Sequence, residues 1–75
     1  MAEIYRIVRV RNNGTEVILR DIQTTDITDE QIKRAEAFVE ANARKATGIR
    51  VRVYSSDENG VVTPNDMIWD SAVNL

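Results

Sequence analysis

Seventy-five residues carry 10 basic and 12 acidic side chains, no Cys and no His, for a net charge of −2. A chain this short makes one domain, residues 1–75, with a core near the smallest size that holds together unaided. The missing Cys and His exclude disulfides, thiolate chemistry, zinc-finger and facial-triad metal sites, and the commonest general base. No apolar run is long enough to span a bilayer and no apolar signal segment opens the chain, so it reads as cytoplasmic.

Residues 3–11 and 15–22 alternate as strands do, and Asn12-Asn13-Gly14 joins them. An Asn-Gly pair between alternating segments signals a hairpin, because a type I′ turn needs positive φ at both central residues. With Asn13-Gly14 as a two-residue loop, Arg11 faces Glu16, Val10 faces Val17, Val8 faces Leu19, Ile7 faces Arg20, Arg6 faces Asp21 and Tyr5 faces Ile22. Two opposite-charge pairs result, together with apolar ones, each worth about 0.2–1 kcal/mol.

The next element is a helix. Thr28 is placed as N-cap with Gln31 completing a capping box, and Ile27 is placed to staple onto Ile32. Asp29 and Glu30 suit the positive first turn, Arg44 and Lys45 the negative last turn, and Gly48 a left-handed C-terminal cap. Ile32, Ala35, Val39, Asn42/Ala43 and Ala46, with Phe38 beside them, repeat at helical period and are expected to face the core.

Strand Ile49–Tyr54 comes next, and Ser55–Gly60 is a turn cluster leading to a short strand Val61–Thr63. Thr63-Pro64-Asn65-Asp66 resembles a helix start, and a helical turn through the tail is favoured over an extended Met67–Trp69. The fold class is therefore α+β: ββαββ, a four-stranded antiparallel sheet of order 2-1-3-4 with one helix across a face. The alternative is a grasp-type order 2-1-4-3, with a last strand near Met67–Trp69 in the centre, parallel to the first.

In this arrangement the helix side of the sheet holds Ile4, Val8, Val10, Val17, Leu19, Ile49, Val51 and Val53. The other side holds Tyr5, Ile7, Arg9, Arg11, Ile18, Arg20, Arg50, Arg52 and Tyr54. Three roles fit that arginine/tyrosine surface. Arginine stems can cover apolar neighbours while their heads meet acids such as Glu16, with the tail laid over the face to bring Asp66 and Asp70 among them. Two such faces or two sheet edges can meet in a homodimer. The surface can also bind a partner, with Tyr5, Arg9, Arg11, Arg20, Arg50, Arg52, Tyr54 and Trp69 as the contact residues.

Catalysis is not expected. Ser55-Ser56 has no base beside it, no glycine-rich phosphate loop is present, and nothing draws Asp21, Asp66 and Asp70 to a shared site. Asp57–Gly60 lacks the spaced ligands of a calcium loop and reads as a turn. No cofactor, metal, membrane or small-molecule substrate is implied. The expectation is a non-catalytic module acting by protein–protein contact, an adaptor or inhibitor of the kind that viruses also encode against host factors. The alternative is a single-stranded nucleic-acid binder, with bases stacking on the tyrosines and phosphates meeting the arginines.

Overall fold

The computed structural model describes residues 3–26, 28–57 and 59–72. Four antiparallel strands lie in one open sheet of order β2-β1-β3-β4, with a helix against one face. They are β1 (Ile4–Val10), β2 (Glu16–Gln23), β3 (Arg50–Ser55) and β4 (Met67–Asp70), and α1 spans Glu30–Lys45. A 3-10 turn at Pro64–Asp66 precedes β4. The ββαββ architecture and its strand order are those expected from the sequence. The fourth strand differs, because Val61–Thr63 is irregular and Met67–Asp70 takes the edge beside β3. A capping box between Thr63 and Asp66, with Pro64 at the first position, turns the chain there, as the sequence signals. The turn ends after three residues because Trp69, extended beside Val53, joins the core.

The first hairpin keeps its expected register only in part. Gly14 is left-handed at φ +88 while among the described residues no non-glycine has positive φ, so the turn is not type I′. Arg11 and Thr15 close a three-residue loop through Arg11 N–H to Thr15 O at 2.8 Å, and Gly14 N–H donates to Arg11 O at 2.9 Å. The extra loop residue slides the near half by one, pairing Val10 with Glu16, Arg9 with Val17 and Val8 with Ile18. A bulge at Leu19 then restores the expected pairs Ile7–Arg20, Arg6–Asp21 and Tyr5–Ile22.

These pairings decide the faces. Tyr5, Ile7 and Arg9 pair with Ser55, Val53 and Val51, so they lie on the helix side. Arg6, Val8 and Val10 pair with Tyr54, Arg52 and Arg50 and take the open side. The expected parity of β1 is thus inverted. The strand is apolar on both faces, so alternation alone does not choose between them. The choice falls where the Tyr5 hydroxyl donates to Glu30 Oε1 (3.2 Å) and Arg6 forks onto Asp21 (2.8 and 3.0 Å).

The core consists of Tyr5, Ile7, Ile22, Val51 and Val53 from the sheet and Ala37 and Ala41 from the helix, with Leu19, Phe38, Ile49, Ile68 and Trp69 packed around it. The helix therefore presents a different side from the one its strongest period suggests. Ile32 and Val39 are 65% and 70% exposed, and Ala35, Ala43 and Ala46 are not among the buried residues. The rotation that seats Ala37 and Ala41 also brings Glu36 and Glu40 to Arg20, at 3.0 and 3.4 Å. Small residues let the helix lie close over side chains that already fill the sheet face.

At the start of α1, Asp29 occupies the N-cap position in place of Thr28, whose hydroxyl donates to Asp26 Oδ1 at 2.6 Å. The expected staple residue Ile27 lies outside the described residues. At the other end Gly48 is left-handed at φ +91, as a C-terminal stop requires, and its N–H donates to Lys45 O. Among the described residues no helix is long and apolar enough to cross a membrane.

Candidate functional site

The eight residues expected to share one surface are divided among three places. Arg50, Arg52 and Tyr54 lie on the open face as foreseen. Tyr5, Arg9 and Arg20 are on the helix side, which corrects their assignment, and Tyr5 is buried in the core. Arg11 sits beyond the end of β1, next to the hairpin loop. Trp69 is on the helix side opposite Val53 and packs against the core rather than standing free.

On the open face the charges form a connected network. Arg50 forks onto Asp70, with Nε to Oδ1 at 3.2 Å and Nη2 to Oδ2 at 2.7 Å. Arg52 bridges Asp70 (2.9 Å) and Glu16 (2.9 Å), joining the β4 edge to the β2 edge across β1 and β3. The Tyr54 hydroxyl donates to Glu16 as well. Asp70 is only 3% exposed and also accepts from Ala72 N–H at 2.9 Å. The sequence suggests that Asp70 reaches the arginines as part of a covering tail; it arrives instead by strand pairing, directly opposite Arg52.

This arrangement has two consequences. The Arg50 guanidinium, with further help from Ala72 N–H and Arg52, holds the Asp70 carboxyl well below the usual carboxylate range against the opposing effect of burial. Both arginines are in turn held more firmly in their charged form, chiefly by Asp70. Burial, then Glu16, pushes the Tyr54 phenol up, and burial with Glu30 does the same to Tyr5. The face is also neutral. Arg6, Arg50 and Arg52 are matched by Asp21, Asp70 and Glu16. Under this lattice Val8 and Val10 are buried although no helix covers them, because their cross-strand neighbours are Arg52, Arg50, Ile18 and Glu16. A depression of about 290 Å³ lies at its β2 side, between Ile18 and the β3–β4 connection at Val62 and Pro64.

The residues that sequence reasoning missed are on the helix. Ile32 and Val39 are expected in the core and stand in solvent, on the side of α1 opposite Ala37 and Ala41. The available signal was that α1 carries two apolar stripes, of which only one can face the sheet. Among the described residues no group of His, Cys, Asp and Glu is placed to hold a metal ion. No known protein family, curated protein or solved structure matches the chain.

Proposed function

We propose that the protein is a non-catalytic binding module that works by protein–protein contact, with the outer face of α1 as its docking surface and a second copy of the chain as the occupant. The observation that carries this reading is the exposure of Ile32 and Val39, 65% and 70%, on a stripe that continues through Ala35, Ala43 and Ala46. Two large β-branched side chains a heptad apart on the solvent side are costly unless something covers them.

The stripe complements itself. Laid antiparallel about a two-fold axis at Val39, Ile32 meets Ala46, Ala35 meets Ala43, and Val39 meets its own copy. The same pairing opposes the two helix dipoles. A dimer of this kind leaves the open sheet face and the β2 edge free for a second protein, which suits an adaptor or inhibitor. Nucleic-acid binding on the open face is the weaker reading, since its cations are already matched by carboxylates and Tyr5 is buried elsewhere.

Light scattering at increasing concentration tests the proposal, comparing the natural chain with the Ile32→Lys/Val39→Lys variant. A dimer that falls to monomer in the variant, with the fold retained by circular dichroism, is expected. A chain that stays monomeric at every concentration, or a dimer indifferent to both lysines, overturns it.

A further inference from the structure

The geometry points to an anion site at the end of the sheet, lined by Arg9, Arg11 and Arg50, that takes a doubly charged oxyanion of the phosphate class. A depression of about 370 Å³ lies where the far end of β1 parts from the start of β3, and Val10, Asn12, Gly48 and Ile49 complete its wall. This is separate from the helix stripe and does not depend on the dimer.

Charge pairing elsewhere gives the site its meaning. Arg6, Arg20, Arg50 and Arg52 each have a carboxylate partner, and Arg34 lies over the Phe38 ring at 5.5 Å. Arg9 and Arg11, both exposed, have no such partner among the described residues, and they line the same depression. In a chain of net charge −2, two uncompensated guanidinium groups in one concavity are an exception to the pairing seen across the sheet.

The ligand class is set by the count of charges. Arg50 and Arg52 are balanced by Asp70 and Glu16, so the surplus in the depression is the two charges of Arg9 and Arg11. A phosphate dianion neutralises two charges where a single carboxylate neutralises one. Its three unprotonated oxygens also suit the planar forks of arginine, which present pairs of parallel donors. Asp70 holds Arg50 through Nε and Nη2 in a two-point bond, so that side chain is already fixed at the rim and loses little further entropy on binding.

Amide NMR titration with inorganic phosphate tests the inference, with acetate and sodium chloride at matched ionic strength as controls. The expected result is a saturable shift confined to residues 9–12 and 48–50. Acetate should bind at least about tenfold more weakly, and Arg9→Gln/Arg11→Gln should weaken phosphate by about tenfold or more, as loss of charge-assisted bonds implies. The single Arg11→Gln variant, at an exposed loop-flanking position, repeats the test with the strands untouched. Shifts scattered over the surface, equal for chloride, or unaffected by the glutamines overturn the site. Equal binding of acetate overturns the dianion class. A pyrophosphate and a short single-stranded oligonucleotide, titrated in parallel, separate a free phosphate group from one carried on a polymer: a salt-steep preference for the oligonucleotide overturns the free-phosphate assignment.

Discussion

Asp70 is the residue on which the open face depends, because two arginines and one backbone N–H converge on its carboxylate. Its folded pKa is depressed, so its contribution to stability is complete above the unfolded value near about 4 and is lost as pH falls through the folded one. Urea unfolding measured at successively lower pH should show that loss. Asp70→Asn should cost about 1–3 kcal/mol at neutral pH and flatten the acid limb. An unchanged acid limb in the variant would mean that other carboxylates carry it. Tyr54 works in the opposite direction. Its phenol is raised by burial and by Glu16, so stability is full below the unfolded value of about 10 and falls as pH climbs through the folded one. An absorbance titration should find Tyr54 ionising above the ordinary phenol range, and Tyr54→Phe should remove that step from the alkaline unfolding curve. A step that persists in the phenylalanine variant assigns the effect to Tyr5. The Arg50, Arg52 and Tyr54 side of β3 was legible in the sequence because that strand has one apolar and one polar parity. The parity of β1 was not, because Tyr5, Ile7 and Arg9 compete almost evenly with Ile4, Val8 and Val10.

At the scale of elements, the helix shows how hydrophobic period and buried face come apart. The period picks out the bulkiest residues, whereas the sheet face, already filled by Tyr5, Ile7, Val51 and Val53, accepts the smallest. Ala37 and Ala41 are both fully buried against it. Ala37→Leu should therefore cost about 1–3 kcal/mol by overpacking, measured by chemical denaturation. If it costs nothing, the gap between helix and sheet is wider than the structure shows. Ile32→Lys and Val39→Lys should stay within about 0.5 kcal/mol of the parent in the monomer, as solvent-side changes do. The C-terminal end of the helix was readable, since Gly48, Arg44 and Lys45 stand where physical rules put them, whereas the N-cap falls on Asp29 and not on Thr28. The last strand was harder. Thr63, Pro64 and Asp66 do begin a helical turn, and only the long-range pull of Trp69 to Val53 and Asp70 to Arg52 draws residues 67–70 out into β4.

For the molecule as a whole, order 2-1-3-4 was legible because hairpin and crossover lengths leave few arrangements. The positions of the proposed sites were not. The outer stripe of α1 and the Arg9/Arg11 depression depend on a helix rotation and on two one-residue shifts in the first hairpin, and only long-range packing fixes these. The same order has a bearing on how the chain is made. β1 and β2 leave the ribosome before β3, yet β3 is the inner neighbour of β1 and is synthesised only after the whole helix. At about 5–20 residues per second the hairpin waits roughly seconds for that neighbour, and two strands alone are marginal in water. Until β3 emerges, Tyr5 and Ile7 lack their cross-strand partners Ser55 and Val53. The nascent chain thus passes through an interval in which this hairpin exposes side chains that the finished fold buries, and the closing of the central pair ends the time during which chaperones and proteases have access to them.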